Sequence, residues 1–182
     1  MTRQVLVIHC AGNQGPGQGS QHLLAYIRDA LGAEYDVLSP KLPNPDNPEY
    51  LLWKTELDKE FSALDDDPIL IGHSFGGSVL LKYLSEEVSQ QVFSGVFILA
   101  APYWGIDENW PISQFSLRDH FNVKLAQMPL FFYHSQNDPI VPFAHLKHYA
   151  EKLPQAIVRA IDGYEHFFND GLPELVDDIK SL

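Results

Sequence analysis

Short apolar runs rich in β-branched residues alternate along this chain with stretches in which apolar positions recur every three or four residues. The first pattern predicts strands and the second predicts amphipathic helices. Strands are expected over Val5 to His9, Tyr35 to Leu38, Ile69 to Ile71, Val92 to Leu99, Leu130 to His134 and Ala156 to Ala160. Helices are expected near Ser20 to Leu31, Pro48 to Ala63, Phe75 to Glu87, Phe143 to Leu153 and Pro173 to Ile179. The alternation implies an α/β class with a mostly parallel six-stranded sheet and helices on both faces. Pro40, Pro43, Pro45 and Pro48 exclude a regular element between the second strand and second helix, so that stretch reads as a surface connection.

The segment from Pro102 to Met128 is longer than an ordinary strand-to-helix crossover and carries Tyr103, Trp104, Trp110, Phe115 and Phe121. Two readings stay open. A crossover helix over Ser116 to Leu125 would bury these aromatics on the sheet; a partial cap would use Tyr103, Trp104 and Trp110 to line a substrate pocket.

Composition narrows the function. With 182 residues the chain is expected to form one domain over residues 1–182, and 45% hydrophobic with 20% charged content is ordinary for a globular protein. Twelve basic residues against 24 acidic ones leave a formal charge of −12, which repels nucleic acid and anionic membrane surfaces. Asp65, Asp66 and Asp67 fit a solvated acidic surface. Cys10 is the sole cysteine, so no intrachain disulfide is expected. No apolar run matches a signal peptide or the ~20 residues of a membrane span, and the expected location is the cytoplasm.

Chemistry enters at Ile69-Leu70-Ile71-Gly72-His73-Ser74-Phe75-Gly76-Gly77, where G-x-S-x-G follows a strand pattern and precedes a helical one. That context marks a nucleophile elbow: a strained turn that exposes Ser74 Oγ, with Gly72 and Gly76 keeping the turn free of side chains. A serine hydroxyl is a poor nucleophile unless a base takes its proton and an acid orients the base. After such an elbow these partners come in the order acid, then histidine. Asp138 follows the apolar run Leu130 to His134, and His166 lies in Gly163-Tyr164-Glu165-His166-Phe167 beyond the last strand. Asp107 is the reserve candidate for the acid.

Other histidines compete. His73 occupies the variable elbow position and His134 a strand, so neither is expected to face Ser74. His145 and His148 stand three apart and read as a solvated helix face, since no cysteine or carboxylate pattern completes a metal site. For a developing oxyanion the expected donors are the backbone N–H of Phe75 and, from the loop His9-Cys10-Ala11-Gly12-Asn13-Gln14-Gly15, that of Ala11. Cys10 is expected to be a small packed side chain.

Val5 to Gly12, the elbow, the turn Asn137-Asp138-Pro139-Ile140-Val141-Pro142 and Gly163-Tyr164-Glu165-His166-Phe167 together resemble the small single-domain serine hydrolases that include the retinoblastoma-binding serine hydrolase. Cys10 stands where that family usually has glycine in a His-Gly pair. The resemblance covers nearly the whole chain and implies a compact α/β-hydrolase fold, with the triad carried onto Ser74, Asp138 and His166. The function expected is hydrolysis of a small carboxylic ester or thioester through an acyl-enzyme, without metal or organic cofactor. Alternatives are an amidase or peptidase with the same triad, and a protein-binding module built on a hydrolase fold.

Overall fold

The computed structural model describes residues 2–87 and 91–182. In chain order its elements are β1 (Arg3–Ile8), α1 (Gln21–Leu31), β2 (Tyr35–Leu38), α2 (Tyr50–Ala63), β3 (Ile69–His73), α3 (Phe75–Glu86), β4 (Gly95–Leu99), α4 (Phe121–Leu125), β5 (Leu130–Ser135), α5 (Ala144–Lys152), β6 (Ile157–Ile161) and α6 (Pro173–Lys180). The strands form one sheet in the order β2-β1-β3-β4-β5-β6, and each neighbouring pair runs parallel. From β1 the chain first moves outward to β2, then returns past β1 to β3. The direction of winding therefore reverses between β1 and β3, the place where open α/β sheets form a crevice at their carboxyl ends.

Side-chain alternation divides the core into two layers. Val5, Val7, Ile69, Ile71, Phe97, Leu99, Phe131 and Tyr133 pack with apolar residues of α1 and α6 on one face. Leu6, Ile8, Leu70, Val96, Ile98, Leu130 and Phe132 pack with residues of α2, α3 and α5 on the other. Both parities are buried, which explains why the strands read as continuous apolar runs rather than alternating ones. Helix α3 is buried from Phe75 to Ser85, so the elbow that starts it has a rigid base.

Two expectations change, and a third is kept with added detail. The fourth strand begins at Gly95 rather than Val92: Ser94 N–H already donates to Pro68 O at 3.1 Å, and Phe93 turns its ring onto Phe61. In the long crossover only Phe121–Leu125 is helical, not Ser116 to Leu125. His120 has a left-handed backbone (φ 65°), and the hydroxyls of Ser113 and Ser116 take the N–H groups of Phe115 and Ser113, competing with a helix before it. Phe115 and Phe121 are nonetheless buried against the α3 side of the core. The proline-rich connection is irregular and tied down: Gly12 N–H donates to Pro45 O (2.7 Å) and Trp53 Nε1–H to Pro43 O (2.8 Å). No helix among the described residues is long and apolar enough to cross a membrane.

Candidate active site

Strand β3 passes into α3 through a single residue, Ser74, whose φ of 54° and ψ of −123° are costly for a side chain with a Cβ. The strain is held by the turn's own bonds: Ser74 N–H donates to Leu99 O at 2.7 Å and Ser74 O accepts from Gly77 N–H at 2.9 Å. Glycine is needed beside it for reasons of contact. A Cβ on Gly76 would lie 2.3 Å from His9 O and 2.4 Å from Ile8 O, so the obstacle there is strand β1. A Cβ on Gly72 would lie 2.6 Å from Gly77 Cα, within the elbow itself.

The structure brings Ser74, His166 and Asp138 together. His166 Nε2 is 2.8 Å from Ser74 Oγ and its Nδ1 is 2.7 Å from Asp138 Oδ2. A carboxylate can only accept, so the His166 proton sits on Nδ1 and the Nε2 lone pair faces the serine hydroxyl. Asp138 closes the turn after β5, its Oδ1 accepting the N–H groups of Ile140 (2.8 Å) and Val141 (2.9 Å). The His166 loop follows β6 and is anchored by Ser135 Oγ–H donating to Tyr164 O at 2.6 Å. Asp107 is elsewhere engaged. Its Oδ1 accepts from Asn109 and Trp110 N–H, a local turn.

Electrostatics favour the same division of labour. Burial holds the His166 imidazole below its ordinary value of 6.5, with the neighbouring His73 adding to that and Asp138 opposing it. Its resting form is therefore the neutral base. Burial alone would raise Asp138, but the His166 N–H and the Val141 and Ile140 N–H groups outweigh it and keep the carboxyl below its usual range.

Two backbone N–H groups expected to receive an oxyanion carry no acceptor among the described hydrogen bonds. Cys10 N–H is taken by Ser20 Oγ and Gly12 N–H by Pro45 O, while Ala11 N–H between them has no acceptor among the described hydrogen bonds. Phe75 N–H, at the first position of α3, is likewise without one. Gln14 braces the loop, its Nε2–H donating to Cys10 O (3.2 Å) and Gly12 O (2.9 Å). Cys10 is packed as expected, but its thiol is not ordinary. Burial pushes it up, yet the side chains of His73, Ser20 and Gln14 prevail and bring it to about 7.

The proposed pocket residues separate. Trp104 packs edge-on against Phe75 (ring centroids 6.0 Å) and Trp110 (5.2 Å), one residue from Ser74. Tyr103 instead turns to His148, Tyr149 and Phe121, and lines a cavity of about 410 Å³ with Arg118, Asn122 and Lys152 that does not include Ser74. The reading of His145 and His148 as a solvated pair fails for His145, which is 1% exposed. Its Nδ1 accepts Tyr103 N–H at 2.8 Å, Trp110 meets its ring edge-on, and burial lowers it to about 4. His145 Nε2 and Trp104 Nε1 are both buried with no hydrogen-bond partner among the described residues. Among those residues no group of three or more His, Cys, Asp and Glu side chains could hold a metal ion.

Sequence reasoning passed over His134 and His73. His134 Nε2–H donates to Val141 O (2.7 Å) and lies 3.5 Å from Asp138 Oδ2, backing the carboxylate from behind. His73 neither faces Ser74 Oγ nor is idle: its Nε2 is 2.9 Å from His166 O and its Nδ1 2.8 Å from Ser20 Oγ. Strand parity was the available signal. His73 continues the set Ile69, Ile71 toward the α1 face, where Ser20 starts that helix.

Known proteins resemble this chain along nearly its whole length. A family model described as serine hydrolase matches residues 5–170. The YdeN protein of Bacillus subtilis (strain 168) is 24% identical over 190 residues, covering 100% of this chain and 96% of its own length. The crystal structure of the ydeN gene product from B. subtilis superposes with a TM-score of 0.84 at 22% identity, over 99% of this chain and 98% of that one. Est1E from Butyrivibrio proteoclasticus gives 0.72 at 15% identity over 99% and 86%. A thioesterase domain from the curacin biosynthetic pathway gives 0.71 at 14% over 98% and 91%. These last likenesses establish the α/β-hydrolase type of fold.

Proposed function

The chain belongs to the serine hydrolase family, and from that premise we propose that it cleaves a small carboxylic ester or thioester through an acyl-enzyme on Ser74. The observation that carries this reading is the unbroken chain Asp138 Oδ2 to His166 Nδ1 (2.7 Å) and His166 Nε2 to Ser74 Oγ (2.8 Å). In the first half-reaction His166 Nε2 accepts the hydroxyl proton as Ser74 Oγ attacks the carbonyl carbon. Asp138 stabilises the imidazolium so formed. The negative charge on the former carbonyl oxygen is received by Phe75 N–H and Ala11 N–H. Collapse expels the alcohol or thiol, which takes the proton from His166; water then repeats the sequence on the acyl-enzyme and releases the acid.

The fold shared with an esterase and a thioesterase domain favours ester-type substrates over amides, and our reading places the protein beside the small members that include the retinoblastoma-binding serine hydrolase. In this reading its partner is a small molecule, and it works in the cytoplasm, where a lone cysteine needs no oxidising partner. In this reading Trp104, packed on Phe75, and Trp110, packed on Trp104, wall a compact acyl site beside the nucleophile. Once that space is full, each further methylene should cost about 1 kcal/mol. Measuring kcat/KM for p-nitrophenyl esters from acetate to dodecanoate, with matched thioesters and anilides, tests both points. We expect a maximum at short esters or thioesters. A rate that climbs to dodecanoate refutes the small pocket, and anilides cleaved faster than esters would make this an amidase.

A further inference from the structure

Resting on the Ser74–His166 reading, we propose that Ser20 and His73 are positioning residues: a buried hydrogen-bond relay that sets the loop carrying Ala11 and the loop carrying His166 in register across the nucleophile elbow. The relay runs from Cys10 N–H to Ser20 Oγ (2.9 Å), from Ser20 Oγ to His73 Nδ1 (2.8 Å) and from His73 Nε2 to the backbone oxygen of His166 (2.9 Å).

Chemistry fixes its direction. His166 O is a carbonyl and can only accept, so the His73 proton is on Nε2. In the neutral ring Nδ1 is then the acceptor, and the one proton of Ser20 Oγ is committed to it. The lone pairs left on Oγ receive Cys10 N–H. Each of the three links then pairs one donor with one acceptor. Cys10, Ser20, His73 and His166 are all buried, so solvent does not substitute for a lost link.

Each end of the relay falls on the machinery. Cys10 precedes Ala11, the proposed oxyanion donor, and His73 immediately precedes Ser74 on β3. The far end holds the main chain of His166, the base itself, while Phe168 packs on the edge of the His73 ring at 5.9 Å. Gln14 locks the near end a second time, its Oε1 accepting Ser20 N–H at 3.1 Å. Residues from two separate loops, between β1 and α1 and between β6 and α6, are thus tied to one ring. Apolar side chains could fill the same volume without any need for matched partners; what they could not do is fix the lateral position of His166 relative to Ser74.

The test compares wild type with Ser20→Ala, Ser20→Thr, His73→Gln and His73→Leu. Readouts are kcat and KM on a short ester, the labelling rate with a fluorophosphonate, the downfield proton resonance of His166 Nδ1–H, and the thermal midpoint. We expect Ser20→Ala to lower kcat and labelling roughly ten- to a hundredfold with KM little changed, as a misplacement of about 1 Å does. Ser20→Thr, which keeps the hydroxyl, should restore both rates. His73→Gln, which can still donate an N–H, should lose less than His73→Leu. In Ser20→Ala the His166 resonance should shift or broaden. Folded Ser20→Ala and His73→Gln with wild-type rates and an unchanged resonance overturn the relay, even if the thermal midpoint falls. Wild type that takes no label would refute the Ser74 reading instead, and the resonance would then decide the relay by itself.

Discussion

Replacing Asp138 by asparagine separates its negative charge from its shape. The carboxylate makes three close contacts: Oδ1 accepts Ile140 N–H at 2.8 Å and Val141 N–H at 2.9 Å, and Oδ2 accepts His166 Nδ1–H at 2.7 Å. An amide can satisfy only one side as an acceptor. Turning its NH₂ toward Ile140 and Val141 would set donor against donor twice, and stranding the partly buried Val141 N–H alone costs about 1–3 kcal/mol. The amide oxygen therefore stays on the turn and the NH₂ faces His166. His166 Nδ1 must then accept, its proton moves to Nε2, and Ser74 Oγ meets an N–H in place of a base. Loss of the correct tautomer costs about 10⁴ in kcat in a serine protease triad, equivalent to ~5.5 kcal/mol. We expect a loss of that order in kcat/KM on a short p-nitrophenyl ester, with far-ultraviolet circular dichroism unchanged. Asp107→Asn should have little effect, because its single bonded oxygen can be an amide oxygen. A loss below about tenfold for Asp138→Asn, or a larger loss for Asp107→Asn, refutes the assignment of the acid.

Gly76→Ala should destabilise the fold by about 3 kcal/mol or more, since its Cβ would sit 2.4 Å from Ile8 O at the end of the central strand β1, which cannot yield; a urea midpoint equal to wild type contradicts this. Activity follows the neutral form of His166, whose value lies below 6.5, so kcat/KM should rise with pH, reach half its maximum below pH 6.5 and stay level from neutrality to mildly alkaline pH. A half-maximum above pH 7 counts against it. Stability should change in the same direction. His9, His134, His145 and His166 are all held below 6.5 by burial, His145 at about 4. Unfolded, each titrates near 6.5 and binds protons that the folded state refuses, so stability is full above that value and falls as pH drops from about 6.5 toward 4. Equal urea midpoints at pH 7 and pH 5 would show that these rings are not kept neutral.

The sequence made the scaffold readable because both faces of the sheet are covered. Strands such as Ile69-Leu70-Ile71 are apolar at every position, and the winding they imply places Ser74, Asp138 and His166 at one sheet edge. The serine was legible for a second reason: the glycines beside it answer to backbone contacts, Gly72 to Gly77 within the elbow and Gly76 to the chain at the end of β1, that leave no room for a side chain. The Pro102 to Met128 crossover was not legible, because aromatic residues in irregular chain carry no period. Tyr103 and Trp104 are adjacent yet face different surroundings. Buried histidines were misread for a related reason. Nothing local distinguishes a solvated His145 from one whose Nδ1 takes Tyr103 N–H from 42 positions away. The same holds for His73, whose partners Ser20 and His166 lie 53 and 93 positions distant.

The central claim is that Ser74 Oγ, 2.8 Å from the neutral Nε2 of His166, is an activated nucleophile. A fluorophosphonate probe reads this directly, because it phosphonylates a serine only where a base removes the hydroxyl proton and the developing oxyanion is received. Wild type should be labelled on Ser74, as located by peptide mass spectrometry, and Ser74→Ala should take no label while keeping its circular dichroism spectrum. Labelling of Ser74→Ala at the wild-type rate, or wild type that labels no faster than a surface hydroxyl, would contradict it.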